Sequence, residues 1–195
     1  MGIERWMLRG APILRMMSNA GPLAHRDIVL SGPIFDVERI EVPTKSGVRA
    51  VRHIVRHPGA VCVAGVLDDG RLVSIRNFRV AVGEWLEEFC AGKLERGEDP
   101  AHAAQRELLE ETGYRAGHIE RLGTFLTSPG FADEVMHAFV ARDLAHVGQS
   151  LQDDERIEVL LSTPSDFAQR IRTGAVRDGK TISTWALLGL AGHAT

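Results

Sequence analysis

The chain has 195 residues, of which 44% are hydrophobic and 25% charged, and its formal net charge is −3. The length predicts one domain whose core is stable without disulfides or structural metals, and the slightly acidic charge argues against a nucleic-acid partner. No stretch reaches the ~18 consecutive apolar residues of a membrane span, and two cysteines, Cys62 and Cys90, are too few for a disulfide framework, which predicts a cytoplasmic location.

Residues 1–24 contain arginines among apolar residues. Arg9 and Arg15 interrupt the apolar run that a signal peptide would need, so we expect no such signal here. We expect residues 1–24 to form a loosely attached extension, either disordered or containing a short helix.

Strand-like sequence begins at Asp27. Residues 35–42 and 48–57 are rich in β-branched side chains and partly alternate between apolar and polar, which predicts antiparallel strands. We expect residues 25–57 to form an N-terminal β segment, which ends at the break made by Pro58 and Gly59. A second group of strands, 60–67 and 71–78, follows in residues 58–195, which we expect to form the main domain. These two strands are joined by the turn sequence Asp68-Asp69-Gly70.

The spacing of apolar residues changes to that of a helix at about residue 100. Asp99 is a good N-cap, Pro100 suits the first helical position and Gly113 suits the residue after the last, so we predict a helix over 100–112. The rest of the chain predicts strands at 122–127, 135–140 and 157–161 and helices at 164–172 and 181–191. Strands mixed with a few helices indicate the α+β class.

Three carboxylates lie close together on this helix. Glu107, Glu110 and Glu111 occupy positions i, i+3 and i+4, beside an apolar stripe, so we expect them at the edge of the buried face. Like charges at this spacing cost roughly 0.2–0.5 kcal/mol per pair, and the helix C-terminus adds a further unfavourable charge. A solvated acidic face and a divalent cation held by hard oxygen ligands both fit the spacing.

The surrounding segment distinguishes these alternatives. It resembles the Nudix box at every defined position, with fixed gaps between Gly92, Glu98, Arg106-Glu107-Leu108, Glu110-Glu111 and Gly113-Tyr114. The resemblance implies a mixed β-sheet between helices, in which the box forms a loop–helix–loop, and the hydrolysis of a nucleoside diphosphate linked to another group. It also implies that Glu107, Glu110 and Glu111 bind Mg²⁺ or Mn²⁺, and that Glu98 pairs with Arg106 to hold the loop. Gly92 and Gly113 then have structural roles in the box.

Other segments are similar to the ADP-ribose pyrophosphatase branch of this family. They are residues 56–61, 76–79, 88–92 and 128–130, and Pro129 lies 15 residues after Tyr114. This resemblance implies that the Ala91 carbonyl completes the metal shell and that Arg79 binds the diphosphate; a structural ion pair is the alternative for Arg79. It also suggests substrate contacts for Pro129, for Glu88, which could equally be structural, and for Glu134, which could instead bind metal.

In this branch the N-terminal β segment crosses to a partner subunit. The resemblance therefore implies a homodimer in which Arg52 and Arg56 help to form the nucleoside pocket. The general base of the branch is often a glutamate on a loop after the box, which here corresponds to Asp153-Asp154-Glu155. We take Glu155 as the candidate base, with a solvated acidic turn as the alternative.

Three functions fit these features. The first is hydrolysis of ADP-ribose to AMP and ribose 5-phosphate. The second is cleavage of another nucleoside diphosphate sugar, such as GDP-mannose or ADP-glucose. The third is a sensor that binds ADP-ribose without cleaving it, and the complete set of three box glutamates argues against it.

Overall fold

A computed structural model gives the fold and describes residues 25–151 and 156–192. Over these residues the chain forms ten strands and three helices. In chain order they are β1 (Arg26–Ser31), β2 (Asp36–Pro43), β3 (Arg49–Arg56), β4 (Ala60–Val66), β5 (Leu72–Arg79), β6 (Glu84–Glu88), β7 (Cys90–Lys93), α1 (Pro100–Thr112), β8 (Tyr114–Leu126), β9 (Val135–His146), β10 (Ile157–Ser162), α2 (Pro164–Thr173) and α3 (Gly179–Leu190).

The first three strands form a separate antiparallel sheet in the order β1-β2-β3. Asp36 lies opposite Arg56, and Pro43 lies opposite Arg49. Every residue of β1 is exposed, and within this sheet only Glu38 and Ile40 are buried. The sheet therefore contributes little to the core.

The central sheet has seven strands, in the order β10-β5-β4-β9-β8, with β6 paired to β5 and β7 paired to β4. Strands β4 and β9 run parallel, with Ala60 opposite Met136, whereas the other pairs are antiparallel. This mixed sheet and the N-terminal antiparallel sheet confirm the predicted fold class.

Strand β4 lies at the centre of the core, and all seven of its residues are buried. Cys62 and its same-face neighbours pack in a cluster with Phe167 of α2 and Leu188 of α3, while Val61 and Val63 belong to a cluster with Leu108 of α1. Because helices cover both faces, the strand is apolar throughout instead of alternating.

Local signals define the helix ends. The Asp99 side chain accepts hydrogen bonds from the N–H groups of Ala101 and His102, and Gly113 ends α1 in the left-handed region at φ 74°. Helix α3 begins two residues before the predicted start, because Asp178 caps it by accepting from the Thr181 N–H. None of the described helices combines the length and apolar character needed to cross a membrane.

Candidate active site

A cavity of about 1010 Å³ opens where the two sheets and α1 meet the start of α3. It combines acidic and basic side chains from distant parts of the chain. Its charged and polar lining comes from α1, β5, β7, the β8–β9 connection and the first turn of α3, and it includes Arg79, Arg106, Glu107, Glu111, Glu134, Asp178 and Lys180. The sequence therefore brings both signs of charge to one concave surface.

Two carboxylates of α1 are buried at this cavity. Glu107 is 8% exposed and Glu111 is 4% exposed, so both lie within the buried face of α1. We had expected them at the edge of this face. The expectation was wrong because β7 packs beside this face, and the Ala91 N–H donates to Glu111 Oε2 over 2.9 Å. Glu110 remains half-buried.

Gly92 provides the space for Glu107. A Cβ atom on Gly92 would lie 1.9 Å from the carboxyl carbon of Glu107, so no larger residue fits without displacing that carboxylate. The glycine of this segment is therefore required by a close approach between β7 and α1.

Arg106 connects the loop before α1 to the carboxylates. Its Nε and Nη2 donate to Glu98 at 3.0 Å, while Nη1 donates to Glu107 at 2.7 Å and to Glu110 at 3.3 Å. The hydrogen bonds from Arg106 lower the pKa of Glu98 below its usual value. Glu98 thus acts within the fold as a partner of Arg106.

A second charged group contains two cations and a completely buried carboxylate. Arg79 Nε donates to Glu88 Oε1 over 2.8 Å, and Lys180 Nζ donates to Glu88 Oε2 and lies 2.9 Å from Asp178 Oδ1. Hydrogen bonding to Glu88 raises the pKa of Arg79. Burial alone would lower the pKa of Lys180, but the charges of Asp178 and Glu88 raise it overall. Both cations therefore remain charged beside the cavity.

Glu134 enters the cavity from the connection between β8 and β9. Thr127 Oγ1 donates to its Oε2 over 2.6 Å, and His57 Nδ1 lies 3.6 Å from its Oε1. Ser128 also lines the cavity. Pro129 is exposed and does not line it, so the structure does not support the expected contact between Pro129 and substrate.

Three other expected substrate contacts lie outside the cavity of their own chain. Arg52 is exposed and donates to the Val51 carbonyl. Arg56 is held by Glu38 and by Asp133. Glu88 is fully buried behind Arg79, which favours the structural role that was the alternative to substrate contact. Within their own chain these two arginines contact neighbouring groups of the N-terminal sheet and the adjoining loop, and their expected role at the pocket of a partner subunit stays a prediction.

Glu155 lies outside the described residues, but the chain before it is fixed to the end of α1. Gln149 Nε2 donates to the Glu111 carbonyl over 2.6 Å, and the Ser150 N–H donates to the Glu110 carbonyl over 3.1 Å. Gly113 allows this contact, because a Cβ there would lie 2.8 Å from the Gln149 nitrogen. The described residues that precede Glu155 are thus attached to the C-terminal end of α1.

Lys180 and Asp178 are two site residues that no sequence motif predicts. One local signal was available: Asp178 is a good N-cap, which places Lys180 in the first turn of a helix, where the helix dipole disfavours a cation. A cation in that position indicates a nearby anion, which here is Glu88.

The site contains oxygen donors that suit a hard divalent cation. Glu107 and Glu111 are buried carboxylates on the cavity wall, and carboxylate oxygen is the ligand type that Mg²⁺ prefers. Within residues 25–151 and 156–192, no three His, Cys, Asp or Glu side chains already converge as a metal site. Arg106 instead holds Glu107 and Glu110, so we expect metal binding to require a shift of these side chains.

Comparison with known proteins gives consistent matches. A family model described as the NUDIX domain matches residues 56–183. The chain is 41% identical over 160 residues to a Bacillus subtilis (strain 168) protein named ADP-ribose pyrophosphatase, with 80% of this chain and 85% of that protein covered. It is 33% identical over 174 residues to an Escherichia coli O1:K1 / APEC protein named GDP-mannose pyrophosphatase, with 80% and 89% covered.

A third relative, from Bacillus methanolicus, is named methanol dehydrogenase activator. It is 38% identical over 156 residues, with 79% of this chain and 84% of that protein covered. Among solved structures, one titled "Crystal structure of ADP compounds hydrolase" has a TM-score of 0.74 at 24% identity, and the match covers 88% of this chain and 95% of that one. At this identity the structural match supports the fold alone.

Proposed function

The chain belongs to the NUDIX family of hydrolases, and we propose that it hydrolyses the diphosphate bond of ADP-ribose to give AMP and ribose 5-phosphate. One observation carries the proposal: a single cavity brings together the box carboxylates Glu107 and Glu111 and the cations Arg79 and Lys180. The similarity to the Bacillus subtilis protein named ADP-ribose pyrophosphatase supports the choice of substrate.

The cavity suits a ligand of this size and charge. Its volume of about 1010 Å³ is close to the upper end of the range that small-molecule sites in proteins occupy. Arg79 presents a planar set of donors, which matches phosphate oxygens better than an ammonium group does. We infer that Arg79 and Lys180 bind the diphosphate, and that Glu88 holds both cations in place from behind.

We propose that Glu107, Glu110 and Glu111, with the Ala91 carbonyl, hold Mg²⁺ or Mn²⁺. A divalent cation would neutralise phosphate charge and lower the pKa of the attacking water. The protein's own contribution is positioning: Gly92 leaves room for Glu107, and the Ala91 N–H orients Glu111. We infer that Arg106 moves from Glu107 and Glu110 toward Glu98 when the carboxylates bind metal.

We further propose Glu155 as the general base that accepts a proton from the attacking water. Its support is the attachment of Gln149 and Ser150 to the end of α1, from which a chain of five further residues can span up to about 17 Å. Glu134 is the proposed contact for substrate or for metal. Glu155→Gln should lower kcat and leave the KM for ADP-ribose nearly unchanged; an unchanged kcat would exclude Glu155 as the base.

We propose that the protein is a homodimer formed through the N-terminal sheet. Its support is a set of exposed apolar side chains on and beside β1. The set consists of Ile28, Val29, Leu30, Ile34 and Phe35. In such a dimer Arg52 would face the partner's cavity. Two free cysteines support the proposed cytoplasmic location. Sedimentation velocity that shows only a monomer at micromolar concentration would contradict the dimer.

A second candidate substrate class comes from the relatives named GDP-mannose pyrophosphatase. The box carboxylates, and the cations proposed to bind the diphosphate, could act on any nucleoside diphosphate sugar. The choice of substrate therefore depends on the groups around the base and the sugar. The sensor alternative lacks support, because the box glutamates and the cavity are complete.

A substrate panel tests the proposal. The protein is incubated with Mg²⁺ and with ADP-ribose, ADP-glucose or GDP-mannose, and the products are separated by anion-exchange chromatography. We expect AMP and ribose 5-phosphate from ADP-ribose at the highest kcat/KM of the panel. Faster turnover of GDP-mannose would favour the second class, and tight binding of ADP-ribose without products would favour a sensor.

A further inference from the structure

We propose that Asp133 is a positioning residue that fixes Glu134 in the cavity by tying the β8–β9 connection to the N-terminal sheet. The proposal rests on the hydrolase function above. It gives the N-terminal sheet a role within its own chain, in addition to any role at a subunit interface.

The side chain of Asp133 binds two groups at the end of β3. Its Oδ2 accepts from Arg56 Nη1 over 2.8 Å, and its Oδ1 accepts from the His57 N–H over 2.9 Å. Arg56 is in turn fixed from the other side, because its Nε donates to Glu38 Oε2 over 2.9 Å. Glu38 is one of the few buried residues of the N-terminal sheet, so this series of contacts is anchored in the fold.

The backbone reinforces the same connection. The Val55 N–H donates to the Phe131 carbonyl over 2.8 Å, and the Asp133 N–H donates to the Val55 carbonyl over 3.1 Å. These bonds form a parallel bridge between Val55 and Ala132. The end of β3 and the loop therefore share a short stretch of sheet, to which the Asp133 side chain adds two further bonds.

Glu134 follows Asp133 directly and lines the cavity. Its backbone carbonyl accepts from the Thr127 N–H over 3.3 Å, and its carboxylate accepts from Thr127 Oγ1. The loop is thus closed at its base by Thr127 and Glu134, and Asp133 attaches it beside that base to the end of β3. Loss of the Asp133 contacts leaves Thr127, the backbone bridge and the His57 ring, whose Nδ1 lies 3.6 Å from Glu134 Oε1, to orient the Glu134 carboxylate.

A displacement of about 1 Å at a catalytic group can reduce the rate by about 100-fold. We therefore expect Asp133→Ala to reduce kcat/KM for ADP-ribose by about 10- to 100-fold. Asp133→Asn should recover part of the loss, because its amide oxygen still accepts from the His57 N–H. Asp69→Ala is the matched control: Asp69 likewise accepts from a backbone N–H and a guanidinium, both of Arg71, at an exposed turn.

A double-mutant cycle separates positioning from general destabilisation. If Asp133 acts through Glu134, then Asp133→Ala should change kcat/KM by less than about threefold when Glu134→Gln is already present. Equal effects in both backgrounds would overturn the proposal, as would wild-type kcat/KM in Asp133→Ala. Thermal unfolding of each variant checks that the fold is retained.

A second readout needs no substrate. Asp133→Ala should accelerate amide hydrogen exchange in residues 127–134 and leave exchange in α1 unchanged, whereas Asp69→Ala should change neither. Unchanged exchange in residues 127–134 would overturn the proposal. If the wild type hydrolyses no nucleoside diphosphate sugar, the proposed function has failed, and the exchange result alone then decides whether Asp133 holds the loop.

Discussion

Glu88→Gln tests the buried charge group behind the cavity. The substitution keeps the volume of the side chain but removes the negative charge that faces two cations. Glu88 is 0% exposed and the Lys180 side chain is 14% exposed, so Lys180 would keep only Asp178 as a charged partner. The Arg79 side chain is 36% exposed and can turn toward water, so the loss of its partner lowers the free energy of unfolding less than the loss at Lys180 does.

Breaking a buried ion pair costs about 3–5 kcal/mol, and the exposure of Arg79 favours the lower end, about 3 kcal/mol. For a chain of this size each kcal/mol lowers Tm by about 2–4 °C, so we expect a decrease of about 6–12 °C. Urea unfolding at pH 7 measures the free energy of unfolding directly.

Two comparisons make this measurement specific. Glu158→Gln removes an exposed carboxylate that lies 3.8 Å from Arg76, and it should cost less than about 1 kcal/mol. Adding Lys180→Met to Glu88→Gln removes the buried cation that has lost its Glu88 partner and should restore part of the lost stability. If Glu88→Gln costs no more than Glu158→Gln, or if the second substitution adds a further loss, the charge-pairing account of Glu88 is wrong.

Two further predictions concern the close approach at Gly92 and the buried thiols. Gly92→Ala should displace the Glu107 carboxylate and reduce kcat/KM by more than about 100-fold, with weaker Mn²⁺ binding in a spectroscopic titration; wild-type metal affinity would contradict the steric argument. Burial raises the pKa of Cys62 from 9.0 to about 12 and raises that of Cys90 well above 9.0, so both thiols stabilise the fold below pH 9 and this contribution is lost as the pH rises above 9. Between pH 8 and pH 10 the loss from Cys62 should be roughly 1.4 kcal/mol, with a loss of the same sign from Cys90. Replacing both cysteines by alanine should remove this loss, and an unchanged slope of stability against pH would refute this cause.

Much of the fold could be predicted from local signals. Helix α1 has the predicted bounds, because Asp99, Pro100 and Gly113 are strong end signals that tertiary contacts do not override. The turn at residues 68–70 was also found, with Gly70 at φ 81°. Strands β6 and β7 were missed, because each is short and their sequences lack both clear alternation and a turn dipeptide. The parallel pairing of β4 with β9 joins residues more than 70 positions apart, which no local pattern specifies.

The candidate site was predictable where a motif defines it and not where folding assembles it. The box residues from Gly92 to Gly113 were identified from their resemblance to the Nudix box, because the spacing of the carboxylates alone also fits a solvated acidic face. Lys180 and Asp133 were not identified, because each takes its role from a partner far along the chain, Glu88 and Arg56 respectively. The sequence position of Arg56 indicates the end of β3 but not the two carboxylates, Glu38 and Asp133, that bind it there.

The release of AMP from ADP-ribose tests the central claim most directly. The wild type and Glu111→Gln are compared at equal concentration with Mg²⁺, and again with excess EDTA, by chromatography of the nucleotide products. We predict that the wild type releases AMP and ribose 5-phosphate in equal amounts, that EDTA abolishes the reaction, and that Glu111→Gln lowers its rate by orders of magnitude while keeping the thermal stability of a folded protein. Hydrolysis that persists in EDTA, or a near-normal rate in Glu111→Gln, would contradict the account.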